Sequence, residues 1–210
     1  MTTQAEIATA PEPDQTAEEK IQQLRELYAD APEVGKTALE NLLRKGATSF
    51  VGKPRTRMES AGRVGRRQGR VSELTLIAPF VEGGAKRLRA FLQLRDGNFD
   101  DTDRVGTVHD MRFVFLDNDT KLLFATAYDD EWDPYIDDFA TKIPDELDLF
   151  ICNCVGWPGT RSPSVKVWIA KYQIAADGWY VANPDLTVVD TRRLKRVGQA
   201  LEEFLDKISD

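Results

Sequence analysis

The chain has 210 residues, 41% of them hydrophobic, a net charge of -7 and a pI near 4.9. That supports one sizeable core plus an arm rather than two full domains, and the acidic balance argues against nucleic-acid binding by the whole protein. No stretch is apolar for the roughly 20 residues a membrane-spanning helix needs, so no membrane partner is expected.

Residues 1–15 are polar with two prolines and are expected to be a disordered tail without the basic start and apolar run of a signal peptide. Residues 16–46 read as a helical arm. Thr16 and Glu19 have capping-box spacing, and Ile21, Leu24, Leu27 and Tyr28 share one side of the helix they open. A second helix, Glu33 to Lys45, uses Val34, Ala38, Leu42 and Leu43, with Gly46 as its stop. Residues 47–70 read as a basic linker. Lys53, Arg55, Arg57, Arg63, Arg66, Arg67 and Arg70 face the single acid Glu59 across 53–70. The segment suits an anion-binding arm, the one place where nucleic acid or phosphate could dock. A solvated link drawn to the acidic body is the better reading, because glycine and arginine with few apolar residues mark a flexible connection.

Residues 71–210 are the compact α+β domain. A strand at Leu74–Val81 leads through Gly83-Gly84 into a helix to Leu94, with Ala85, Leu88, Phe91 and Leu92 inward. After a polar loop, Thr107–Leu116 alternates as a strand, with His109, Met111, Phe113 and Phe115 on the core face and Asp110 and Arg112 on the other. Asp117-Asn118-Asp119 is turn chemistry tolerant of the left-handed region, and Leu122–Ala127 is the return strand. Asp133-Pro134 starts a helix carrying Tyr135, Ile136 and Phe139, which Pro144 ends. Leu147–Cys154 reads as a further strand. The order is the βαββαβ of a ferredoxin-like antiparallel sheet with two helices on one face. Val165–Ile174 adds a strand, and a C-terminal helix follows from about Asp190 with Leu194, Val197, Leu201, Phe204, Leu205 and Ile208 as its stripe. A sheet covered on one face predicts a homodimer or a second layer over the other.

His109 is the only histidine. On a core face it reads as hydrogen-bonded packing, as a general base, or as an axial haem ligand, since haem iron needs only one protein imidazole. No metal site is expected: His109 with Cys152 and Cys154 is outside the usual zinc spacing. The C-x-C cysteines read as reduced thiols in a strand, in keeping with a cytoplasmic protein; a Cys-His nucleophile pair is the alternative. Asp129, Asp130, Glu131, Asp133, Asp137 and Asp138 could hold a hard cation, or form a solvated face with a helix cap.

Several residues carry a family resemblance. His109, Arg112 and Phe113 form H-x-x-R-F. Leu122 to Phe124, Tyr128, Asp129, Trp132, Tyr135, Asp138 and Phe139 follow, then Val155 to Pro158, and Trp179, Tyr180, Pro184, Leu186 and Thr187. This pattern, over residues 70–195, resembles a family of uncharacterised microbial proteins similar to peroxidase-like dimeric α+β barrels. Trp157 replaces the family's tyrosine, Asp130 stands where glycine is usual, and the glycine-rich acidic motif of dye-decolorising peroxidases is absent. The resemblance implies a dimeric enzyme that binds a small molecule, with haem as cofactor and peroxidase- or monooxygenase-like oxidative chemistry. His109 would be axial ligand or acid/base, Arg112 a charge stabiliser and Asp110 an orienting carboxylate, with Met111, Phe113 and Trp157 around the cofactor. The alternative is a non-catalytic assembly module that uses the N-terminal helices and the basic arm.

Overall fold

The computed structural model describes residues 16–45 and 58–209, which belong to two units, Met1–Arg55 and Thr56–Asp210. The expected tail, the stop at Gly46 and Lys53, Arg55 and Arg57 lie outside the described residues.

The first unit is a helical pair, α1 (Ala17–Leu27) and α2 (Glu33–Arg44). The capping box forms as its spacing predicts: Glu19 N–H donates to Thr16 Oγ1, and Thr16 N–H donates to the Glu19 carboxylate. Arg25 forks onto Glu40 across the pair at 2.9 and 3.2 Å, which holds the Arg25 pKa up and the Glu40 carboxyl down, chiefly by side-chain hydrogen bonding. Leu27 and Val34 remain exposed.

The second unit is α+β, built on an antiparallel sheet of β1 (Met58–Ser60), β2 (Arg66–Gln68), β3 (Val71–Pro79), β4 (Val108–Leu116) and β5 (Lys121–Asp129), in spatial order β1-β2-β3-β5-β4. After β3, α3 (Gly84–Arg95) and the short α4 (Asp100–Asp103) carry the chain to the far edge, and β5 returns between β3 and β4. The β4–β5 turn is as its chemistry predicts: Asp117, Asn118 and Asp119 all have positive φ, at 50°, 53° and 66°.

One sheet face is the core. The register sets Leu74 beside Thr126, Leu76 and Phe113 on either side of Phe124, and Ala78 and Phe115 on either side of Leu122. Period-2 alternation then puts all of these on one side. Leu88 of α3 packs there, with Trp132, Tyr135, Ile136 and Phe139 of α5 (Trp132–Lys142). Tyr128 stacks on Tyr135 with ring centroids 3.8 Å apart, and Phe113 stacks on Phe150 at 4.8 Å. Each such side chain contributes about 1.5–3 kcal/mol by leaving water.

Three expectations are corrected here. Leu147–Cys154 is not a strand but α6 (Pro144–Ile151) and the turn after it. Leu147, Phe150, Ile151 and Cys154 are buried at i, i+3, i+4 and i+7, which is helical spacing, and Pro144 opens the helix at its first position. Val165–Ile174 is likewise not a strand but mainly α7 (Val165–Tyr172), burying Val165, Trp168 and Ile169 by the same spacing. The sixth element of the βαββαβ order is therefore helical. The basic linker also ends early, because from Met58 the chain is already in the sheet. Arg67 pairs with Glu131 and Glu59, Arg70 with Asp130 at 2.7 Å, and Arg63 lies over the Trp132 ring at 5.6 Å.

The other sheet face carries two buried carboxylates, Glu73 and Asp129. Residues 173–188 run along this side. Ala176 N–H donates to Glu73 Oε1 at 3.2 Å, and Val188 N–H donates to Asp129 at 3.1 and 3.2 Å. From that point α8 (Val188–Ser209) begins, and every residue from Thr191 to Ile208 is exposed.

Candidate functional site

The site is built around the end of β5. The β4–β5 register slips between Val108, opposite Tyr128, and Asp110, opposite Ala127. His109 is the extra residue of that β-bulge, and a bulge re-aims its side chain. It therefore leaves the core face, contrary to the expectation from alternation. Its side chain, 23% exposed, sets Nε2 2.8 Å from Asp129 Oδ1. Facing a carboxylate acceptor, Nε2 is the ring nitrogen that donates.

Asp129 is nearly sealed, and its two oxygens take the His109 N–H and the Val188 N–H. Val188 is the first residue of α8, so a buried anion from the sheet meets the positive end of that helix. The helix start is reinforced locally. Thr187 Oγ1 and N–H both engage Asp190 Oδ2, at 2.5 and 3.1 Å, and Asp190 N–H returns a bond to Thr187 Oγ1. These hydrogen bonds, helped by Arg70 and Arg193, hold the Asp190 carboxyl below the usual range. On the far side of the helix, Arg192 pairs with Asp103 at 2.6 Å. Next to Asp129, Asp130 sits at φ 60°, a conformation in which glycine is easier.

The residues named from the sequence do not meet in one place. Asp110, expected to orient His109, is exposed and 3.9 Å from Arg112 instead; Asp129 takes that part. Met111 and Phe113 pack on the core. Trp157 lines an apolar hollow with Leu74, Phe124, Phe139 and Trp168, and its Nε1 donates to Asp148 at 2.7 Å. His109 does not line that hollow. Its volume of about 20 Å³ is room for about one water, with no polar lining to hold it. A haem needs a slot of several hundred Å³ beside a free imidazole nitrogen, and His109, Met111, Phe113 and Trp157 do not frame one.

The other candidates are accounted for within the chain. Of the acidic cluster, Asp133 and Asp137 share Lys166 at 2.9 and 2.8 Å, Asp138 holds Lys142 at 3.1 Å, and Asp130 and Glu131 hold Arg70 and Arg67. No group with the makings of a metal site occurs among the described residues. Both thiols are free, and burial pushes both up, Cys154 to about 12, which disfavours a thiolate nucleophile. Among the described residues, no helix is long and apolar enough to cross a membrane.

What remains is a buried anchor and the helix it holds. Leu194, Val197, Leu201, Phe204 and Ile208 are all large, apolar and about half or more exposed. At 100° per residue Arg192 lies half a turn from Leu201, and Arg192 is the residue tied to the body, so the apolar line faces outward. The stripe was legible from its spacing. Asp129 as the anchor was not, because its role depends on a bulge and on a segment 59 residues away.

Comparison with protein families, curated proteins and solved structures finds no match. The class of this protein therefore rests on its own geometry: an α+β body that presents an amphipathic helix from a buried carboxylate anchor.

Proposed function

We propose that this protein is an interaction module whose working element is α8. The observation that carries the reading is the outward line of Leu194, Val197, Leu201, Phe204 and Ile208. Exposed apolar patches of this kind mark docking sites, and a lone amphipathic helix gains most of its stability from what its apolar face packs on. The anchor at Asp129 fixes where the helix leaves the body. The helical pair α1–α2 offers exposed Leu27 and Val34 as a second apolar surface. The basic segment contributes less than its composition promised, since Arg63, Arg67 and Arg70 engage their own body. The test is a photo-crosslinking residue at Ala200, which borders the stripe, introduced in living cells. A discrete protein adduct, lost on Leu201→Asp, supports the reading. No adduct above background sinks it.

A second reading, a small-molecule enzyme using acid/base or oxidative chemistry, draws on the Asp129–His109 pair, since a carboxylate-oriented imidazole is the usual form of a general base. Haem titration checks its cofactor version. The geometry predicts no His109-dependent Soret band, and a band lost in His109→Ala would restore that version.

A further inference from the structure

We propose that the surface α8 docks on is α8 of a second copy of this chain, running antiparallel. The inference rests on the reading of α8 as a docking element and names its partner.

The spacing points to a helical seam. Leu194, Val197, Leu201, Phe204 and Ile208 recur at intervals of three and four, the a and d positions of two heptads. The charges point to the partner. Beyond Arg192, which Asp103 holds, Arg193, Lys195 and Arg196 fill the first part of the exposed helix, and Glu202, Glu203 and Asp206 the later part, with Lys207 the exception. The end turns follow the helix macrodipole, with Asp190 in the first and Lys207 in the last, but between them the charge is split into a basic and an acidic half. A second α8 in the opposite sense complements that split: basic half meets acidic half, and the two dipoles oppose.

The register follows from the same residues. With the two-fold axis at Gln199, Leu194 layers on the partner's Phe204 and Val197 on the partner's Leu201. Lys195 and Glu202 both take the b position of those heptads, outside the seam on one flank, and the antiparallel sense brings the basic end of that flank level with the partner's acidic end. A parallel pair would set basic half level with basic half. Gly198 and Ala200 straddle the axis and allow close approach; a Cβ added at Gly198 meets nothing within 4 Å in the single chain. The contact is self-complementary, as a two-fold interface requires. Two heptads make a small interface, so the dimer is concentration-dependent.

The test is sedimentation equilibrium of the full chain, with one spin label at Asp206→Cys in a Cys152→Ser background; Cys154 is buried and does not take the label. The expected result is a mass approaching twice 23.7 kDa as concentration rises, reduced to one chain by Leu201→Asp. The labels should sit roughly 21 Å apart along the helix axis, from 14 residues of rise, against near zero for a parallel pair. Lys195→Glu should weaken the dimer severalfold, and adding Glu202→Lys should restore it. A dimer with adjacent labels overturns the antiparallel arrangement. A monomer at every concentration overturns the second copy as partner. If Ala200 then crosslinks in cells to a different protein, the docking reading survives without this proposal; if it crosslinks to nothing, both fall.

Discussion

The helices α5 and α8 carry the same kind of apolar stripe and meet opposite fates. In α5, Trp132, Tyr135, Ile136 and Phe139 are 0–3% exposed beneath the sheet. In α8, Leu194, Val197, Leu201, Phe204 and Ile208 are 54–63% exposed. Periodicity specifies that a helix has a face to cover, and the connection to the sheet decides what covers it. α5 follows β5 through a tight turn at Asp130 and folds back on the core, whereas α8 starts from the opposite sheet face, held at its foot by Asp129.

The sharpest way to break this comparison is to truncate one residue from each stripe. Ile136→Ala removes buried atoms and leaves a cavity, so it should cost about 2–5 kcal/mol, whereas Leu201→Ala should change the unfolding of the dilute single chain by less than about 0.5 kcal/mol. Urea unfolding at low concentration reads both. Equal losses would mean that α8 packs on its own body.

A smaller effect is expected at the anchor. Asp129→Ala leaves the Val188 N–H and His109 without their acceptor, at about 1.5–3 kcal/mol. The loss should appear first as faster amide exchange at the start of α8, with the α5 amides unchanged. Uniform loss across both helices would make Asp129 a core residue rather than the helix anchor.

The pH dependence concerns the body alone. Burial pushes the Cys154 thiol from its ordinary 9.0 to about 12 and raises the Tyr128 and Tyr135 phenols as well. Groups whose folded pKa is raised stabilise the fold fully below their unfolded pKa, and that stability is lost as pH climbs toward the folded value. The urea midpoint should therefore be insensitive to these groups below about pH 8 and fall from there toward pH 12. α8 carries none of them, so it should not set the alkaline limit; a midpoint that holds flat to pH 12 would remove the burial argument.

The smallest effect is at the turn between β5 and α5. Asp130→Gly relieves a left-handed residue but loses the exposed Arg70 pair, so the net change should lie within about 1 kcal/mol of zero. Asp130→Val, which also loses the pair and is β-branched at positive φ, should cost more, about 1–2 kcal/mol. Thermal unfolding of the two variants ranks them.

Legibility from the sequence followed the range of the interactions. The hairpin, its left-handed Asp117–Asp119 turn, the Thr16 capping box and both stripes depend on neighbours within a few residues, and each could be read directly. α6 and α7 were taken for strands because runs such as LDLFIC and VKVWIA are rich in β-branched and aromatic types. Their i, i+3, i+4, i+7 spacing, visible in Leu147, Phe150, Ile151 and Cys154, was the better guide. His109 was assigned to the core face by strict alternation, which one bulge residue inverts. Nothing local to Asp129 says that it will receive the Val188 N–H. The T-x-x-D of Thr187 and Asp190, however, had the spacing to place the start of α8.

The most direct measurement is hydrogen exchange across residues 191–208 as a function of protein concentration. A stripe that faces away from the body and is covered only on association predicts rapid exchange in dilute solution, far faster than α5, with protection rising as concentration rises. Strong protection that does not depend on concentration would place the stripe against its own chain and contradict the account.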